Sequence, residues 1–195
     1  MVLIFKSFQM TKIIYIGMAA RMTNDKCHDL IIDMVKNNHI FFLKKKIKFL
    51  FAGHGTLYEK HKKKVKDLKI SSLIVFSGFL GENEMIKWYK HLTIYAHISK
   101  DETTSTSILQ AMSMSLPVIA SNIGGNKHLL KKIENKYNII LTNNDIDEMF
   151  TIICSIIFDK KKLKTMAALS RKTVNKYFLV MLCLKSIRNY FNNIK

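Results

Sequence analysis

A chain of 195 residues with 48% apolar content can bury a core of its own, which excludes a disordered tail and a disulfide-stapled miniprotein. No stretch approaches the roughly 18 consecutive apolar residues of a membrane-spanning helix. The formal charge of +18 invites a nucleic-acid or anionic-membrane partner, yet only three of the 32 cationic residues (Arg21, Arg171 and Arg188) are arginines, so the guanidinium fork that phosphate clamps and base readers favour is scarce. A solvated lysine surface is the plain reading and peripheral contact with an anionic membrane the second; no specific nucleic-acid partner is expected. Cys27, Cys154 and Cys183 are odd in number and far apart, without metal or redox spacing, which suits a reducing cytoplasm. The opening MVLIFKSFQM lacks a small-residue cleavage site after its apolar run and does not read as a signal peptide.

Along the chain, short apolar runs alternate with amphipathic patterns. The strand-like runs are 13–16, 47–52, 73–76, 92–96, 117–120 and 137–141, rich in Ile, Val, Phe and Tyr. Helical patterns fall between and after them, at 25–37, 57–68, 82–91, 107–114, 126–133 and 146–157. Beyond Phe158 the chain reads as one or two further helices, with a break near Phe178. Continuously apolar strands alternating with helices predict a parallel sheet covered on both faces, the α/β class. No linker or internal repeat interrupts it, so residues 1–195 are expected to form a single domain. In such sheets ligands gather where the strands end at their carboxyl termini.

The loops that follow the strands therefore carry the candidate chemistry. After the first comes "GMAARMTNDKCHD", with Arg21 and Lys26 just ahead of a helix. Two cations beside a helix N-terminus suit a diphosphate, because free amides and partial positive charge gather there. After the second comes "GHGTLYEK". Gly53 and Gly55 flank His54 and allow either close approach to a ligand or a tight strand-to-helix turn. His54 and His97 are weak catalytic candidates, more often packed than reactive. After the third, "SGFLGENEM" is explained by turn chemistry and helix-start acids alone. After the fourth comes "SKDETTSTSILQAMSMSLPVIASNIGG". Five consecutive hydroxyl residues, Thr103 to Ser107, exceed what capping one helix needs. They suit an anion cradle, while Glu102 would accept hydrogen bonds from a ligand's hydroxyl groups. Phosphate on the helix end and sugar on the carboxylate together describe a nucleotide-sugar.

Four of these segments resemble, in order and at matching spacing, the C-terminal, donor-binding half of family 4 retaining glycosyltransferases of the glycosyltransferase group 1 type. "GMAARMTNDKCHDLI" is similar to that family's G-x-x-x-R…K-G-x-x-x-L-I, and "FLFAGHGTLYEK" to its strand and G-x-G loop. "IVFSGFLGENEMIKWYKHLTIYAHIS" and "ETTSTSILQAMSMSLPVIASNIGG" are similar to its next two signatures. The resemblance covers about residues 12–175. It implies a Rossmann-like three-layer sheet, the C-terminal half of a GT-B architecture, with residues 1–12 a remnant linker and about 176–195 a C-terminal helix. It implies a UDP- or GDP-sugar donor, a glycan or lipid acceptor, retention of anomeric configuration, no divalent metal and no other cofactor. Arg21 and Lys26 would neutralise the diphosphate and Glu102 would hold the sugar, these three carrying catalysis. The amides of Ser105, Thr106 and Ser107 would meet the phosphates. Gln110 would hold the ribose, Gly78 and Phe79 would flank the base, and Gly53 and Gly55 would line the site.

The chain departs from the family's pattern where Gln110 replaces Glu, Cys27 and Ser115 replace Gly, and His128 replaces Glu. One amide oxygen in place of a carboxylate predicts weaker ribose binding. The family's N-terminal half, which carries the acceptor site, has no counterpart in residues 1–12. Residues 1–195 are then expected to be incomplete for transfer without an N-terminal half, either as a fragment of a longer enzyme or working with a separate acceptor half. A non-catalytic nucleotide-sugar-binding module is the alternative. A cytoplasmic location, peripheral to the inner face of the cell membrane, fits either.

Overall fold

The computed structural model describes residues 13–133 and 135–179. Six parallel strands form one sheet: β1 (Ile14–Ala19), β2 (Ile47–Ala52), β3 (Ile74–Gly78), β4 (Ile94–His97), β5 (Val118–Ser121) and β8 (Ile139–Thr142). A two-residue antiparallel ribbon, β6 (Lys132–Ile133) and β7 (Lys136–Tyr137), precedes β8. The helices are α1 (His28–Asn37), α2 (His39–Lys44), α3 (Tyr58–Asp67), α4 (Glu82–His91), α5 (Thr106–Ser113), α6 (Gly124–Leu129), α7 (Ile146–Ile157) and α8 (Lys160–Thr173). The last widens into a π turn, Val174–Phe178.

Each predicted strand is present, in order, and the sheet has its two apolar faces. Ile14, Ile16 and Met18 of β1 join Phe49 and Phe51 of β2 in the cluster covered by α1, α3 and α7. The alternate positions Ala19, Ala52, Tyr95 and Val118 face Trp88, Leu109 and Met112 of α4 and α5. This alternation is the period of two expected of a strand. The result is a three-layer, Rossmann-like fold. Edge-to-face rings bind the first layer, Phe42 to Phe49 at 5.1 Å and Phe41 to Phe150 at 5.1 Å. Each fully buried ring contributes about 1.5–3 kcal/mol.

Three elements differ from the sequence reading. β1 runs on through Gly17 to Ala19, because Leu92 and Trp88 lie where a side chain at Gly17 would go and cover the strand. α2 is a separate short helix between α1 and β2. The pattern expected at 126–133 starts at Gly124 and stops at Leu129, where the ribbon begins. The expected linker 1–12 and the C-terminal helix beyond Leu179 lie outside the described residues, as does Cys183. Cys27 and Cys154 are free thiols.

The strand order is β3-β2-β1-β4-β5-β8. From β1 the chain winds outward to β2 and β3, then returns to β4 and winds the other way. The crevice beyond the ends of β1 and β4 is therefore the topological switch point, where an open α/β sheet takes its ligands.

Candidate functional site

Two loops meet at that crevice, one after β1 and one after β4. Their backbones are stitched together: the Lys100 amide donates to Asp25 O at 2.8 Å. The Ser99 hydroxyl donates to Asp101 O at 2.7 Å and lies 3.1 Å from Asp25 O. Ser99 is itself pinned from β5, its amide donating to Ser121 Oγ at 2.8 Å and its carbonyl accepting from Asn144 Nδ2 at 3.0 Å.

On this frame Lys26 and Glu102 form an ion pair, Nζ to Oε1 at 2.7 Å, with side chains 14% and 12% exposed. Lys26 Nζ also lies 3.2 Å from Asp25 Oδ2 and 3.2 Å from Asp101 O. Burial pushes the Glu102 carboxyl up, but hydrogen bonds from His97 and Lys26 outweigh it and hold the group below the ordinary carboxylate value. Burial likewise pushes the Lys26 ammonium down, and its bonds to Glu102 and Asp25 more than offset that, leaving it raised.

His97, the last residue of β4, is 1% exposed and bonds the same oxygen, Nε2 to Glu102 Oε1 at 2.6 Å. A carboxylate oxygen only accepts, so Nε2 carries the proton. Nδ1 lies 3.3 Å from the Tyr95 hydroxyl and 3.4 Å from Ser107 Oγ. Both contacts to Glu102 fall on Oε1. Among the described residues no hydrogen bond engages Oε2. His97 was a weak candidate in the sequence. Its one signal was position: the last residue of a strand, five before Glu102, beside the switch point.

The hydroxyl run opens α5. Ser105 caps the helix, its Oγ accepting from the Ile108 amide at 3.4 Å and lying 3.0 Å from Ser107 Oγ. The first-turn amides of α5, that of Ser107 among them, point out of the N-terminal end of the helix. They lie in the segment that follows Glu102 directly. Gln110 is exposed on the same helix and accepts from the Tyr89 hydroxyl at 3.3 Å. The signature's second glycine has a packing role. A β-carbon on Gly125 would overlap the carbonyls of Glu102 and Thr103, so only glycine lets α6 approach the Glu102 loop this closely. Ser115, at a position where glycine was expected, adopts φ 59°, the left-handed region that glycine prefers.

Arg21 sits in the β1–α1 loop, exposed, with no side-chain hydrogen bond or ion pair among the described residues. It borders the β2–α3 loop, because Met22 N donates to His54 O at 3.1 Å. Gly53 has φ 119° and a β-carbon there would meet the Ala20 carbonyl; Gly55 abuts Met22 in the same way. Contact between these two loops is thus enough to require both glycines. His54 stacks on Tyr58 at 4.4 Å. Gly78 closes β3, its carbonyl accepting from Gly53 N at 2.7 Å, and Phe79 beyond it is 84% exposed. The structure thus joins Lys26, Glu102, Ser105 and Ser107 into one network through His97. It places Arg21, Gly53, Gly55, Gly78 and Phe79 on neighbouring loops of the same sheet edge. No group of three His, Cys, Asp or Glu residues able to hold a metal ion occurs among the described residues.

Against known proteins, the chain is 25% identical over 128 residues to the sulfoquinovosyl transferase SQD2 of Arabidopsis thaliana, covering 65% of this chain and 24% of that protein. HepE of Anabaena, solved in complex with UDP and glucose, superposes with a TM-score of 0.74 at 20% identity, over 91% of this chain and 48% of HepE. The C-terminal domain of a glycosyl transferase group 1 protein, LpcC of Francisella tularensis, superposes with a TM-score of 0.71 at 22% identity, over 85% of this chain and 86% of that domain. The chain thus spans about a quarter of the curated relative's length and about half of HepE. The sequence pattern of the family described as glycosyl transferases group 1 matches residues 3–173, so this chain belongs to that family and has the fold of the C-terminal half of its GT-B architecture.

Proposed function

We propose that this chain binds a nucleotide-diphospho-sugar and forms the donor half of a retaining glycosyltransferase. The observation that carries the reading is the meeting of Lys26 and Glu102 at the switch point, beside the N-terminus of α5. HepE, of the same fold, holds UDP and glucose. On this reading the diphosphate lies against the first-turn amides of α5, with Arg21 and Lys26 supplying positive charge. Glu102 Oε2 accepts from the sugar's hydroxyls, Gln110 from the ribose, and the exposed Phe79 ring flanks the base. The bond between the anomeric carbon and the diphosphate oxygen breaks with its electron pair going to the diphosphate, the acceptor oxygen forms the new glycosidic bond, and the acceptor's proton passes to the leaving diphosphate. The leaving diphosphate gains charge as the bond breaks, so the amides and cations bind the transition state more tightly than the ground state. No divalent metal is needed for that step. The acceptor, a glycan or lipid, is bound by a second half that this chain works with.

The same proposal sets the chain against an anionic membrane, on the cytoplasmic side. Ile40 and Leu43 of α2 and Phe158 after α7 are exposed, and Lys45 Nζ lies 5.4 Å above the Phe158 ring. No acidic residue occurs between Asp33 and Glu59. Among the described residues no helix is long and apolar enough to cross a membrane.

Titration calorimetry with UDP-glucose and GDP-mannose tests the donor site. Binding is expected to at least one, and to weaken about tenfold or more in Arg21→Ala and in Lys26→Ala. Binding unaffected by both substitutions contradicts it. Gln110 favours one other reading, a module that binds the nucleotide-sugar without transferring it. Donor binding without transfer, even with the second half supplied, would establish that module.

A further inference from the structure

We propose that His97 is the positioning residue that aims Glu102 at the donor sugar. The inference rests on the donor-site reading and adds to it a residue that the reading does not require.

The carboxylate of Glu102 ends in a broad terminal torsion, so by itself its plane could turn over a wide range. Lys26 does not fix that plane. An ammonium is a compact point charge on a flexible stem and can follow whichever oxygen comes near. An imidazole N–H is different: it points in one direction, in the plane of a ring that is 1% exposed. The ring is held from behind. Its Nδ1 lies 3.3 Å from the Tyr95 hydroxyl and 3.4 Å from Ser107 Oγ. The Tyr95 ring is fully buried; its hydroxyl accepts from Ala19 N at 3.3 Å, and its single proton lies between two acceptors, Ala19 O at 3.1 Å and His97 Nδ1. A line of buried groups therefore runs from the β1 backbone through Tyr95 and His97 to Oε1 of Glu102. Rotating the carboxylate would break the 2.6 Å bond at its end. With the plane of the group fixed, one oxygen meets His97 and the other is presented to the sugar.

The role predicts a split that a merely structural residue would not produce. Loss of the Nε2 proton donor should leave the diphosphate contacts intact and remove what the sugar adds. Glutamine places its amide nitrogen near the imidazole Nε2 position and can still donate to Oε1. Asparagine places it near Nδ1 and cannot reach.

Calorimetry on the full chain with UDP, GDP, UDP-glucose and GDP-mannose reads this directly. In His97→Asn the ratio of nucleotide-sugar to bare-nucleotide affinity is expected to fall about tenfold, while bare-nucleotide affinity stays within about twofold. In His97→Gln the ratio is expected to be largely restored. A ratio unchanged in His97→Asn overturns the proposal, as does an equal loss for nucleotide and nucleotide-sugar. Should His97→Asn not fold, Tyr95→Phe weakens the same line one step back: a lowered ratio supports the proposal and an unchanged one overturns it. If the unsubstituted chain binds none of the four ligands, the donor-site reading fails and takes this inference with it. That result is distinct from binding that His97 does not influence.

Discussion

Lys26 and Glu102 stand 76 positions apart in the chain and meet at 2.7 Å across the switch point of the sheet. The pair joins the loop after β1 to the loop after β4, so it is both a structural clasp and the centre of the proposed donor site. Removing the ammonium leaves a largely buried carboxylate with His97 as its one hydrogen-bond partner among the described residues. Lys26→Met should therefore lower stability by about 1–3 kcal/mol in urea unfolding. Lys26→Met combined with Glu102→Gln should cost less than the sum of the two single changes. The pH window follows from the two shifts. Glu102 is lowered, so its share of the stability is present above its ordinary value near 4.5 and lost as pH falls through the folded value. Lys26 is raised, so its share is present below 10.5 and lost as pH rises through the folded value. Additive single and double variants would show that the pair does not couple.

Next to this pair, His28 is fully buried, its Nδ1 2.5 Å from the Lys26 carbonyl and its Nε2 without a hydrogen-bond partner among the described residues. Burial is the main cause that pushes its pKa down to about 4. Above pH 6.5 the ring is neutral in both folded and unfolded chains and has no pH effect. As pH falls from 6.5 to 4 the unfolded chain takes up a proton that the folded chain refuses, and stability drops. Between pH 7.5 and 5 the loss from this residue should be about 2 kcal/mol. Urea midpoints at the two pH values, compared with His28→Leu, isolate it: the variant should lose less stability by that amount. Equal losses would contradict the assignment.

Gly124 and Gly125 are neighbours with opposite surroundings. A β-carbon on Gly124 would meet nothing within 4 Å, whereas on Gly125 it would overlap the Glu102 and Thr103 carbonyls. Gly125→Ala should destabilise by about 1–3 kcal/mol or more and weaken donor binding by displacing Glu102. Gly124→Ala should be neutral or stabilise by up to about 1 kcal/mol. Thermal melts of the two variants suffice, and a reversed order would show that α6 does not pack against the Glu102 loop.

Much of this was legible in the chain because a parallel sheet buried on both faces needs continuous apolar strands, and six such runs stand out. The ribbon was not legible: two-residue strands such as Lys132–Ile133 have no period to detect. Neither was α2, whose six residues follow α1 after Asn38 alone. At the site, the residue types near Glu102 suggested phosphate and sugar, and Lys26 was found from its place before a helix. The contact between them came from topology, which puts β4 beside β1. His97 is only a weak candidate in the sequence for the same reason. A single histidine has no pattern in sequence, and its role arises only from the strand end that aims it at Glu102.

At position 110 the structure sharpens a test. Gln110 is exposed, and its single acceptor oxygen already takes the Tyr89 hydroxyl at 3.3 Å. Gln110→Glu supplies a second acceptor while the first can keep Tyr89. Donor affinity should rise by about 1–3 kcal/mol, roughly five- to 150-fold in Kd. Unchanged affinity in calorimetry would mean that position 110 does not touch the ribose.

The central claim is that the crevice between the ends of β1 and β4 holds a nucleotide-sugar, and its most direct test is a crystal structure of the chain grown with the donor that binds in calorimetry. The account predicts density for the diphosphate at the first-turn amides of Thr106 and Ser107, and a sugar hydroxyl within hydrogen-bond distance of Glu102 Oε2. Donor density elsewhere, for example in the groove of about 500 Å³ between Tyr137 and Met166, with Glu102 Oε2 untouched, would contradict it.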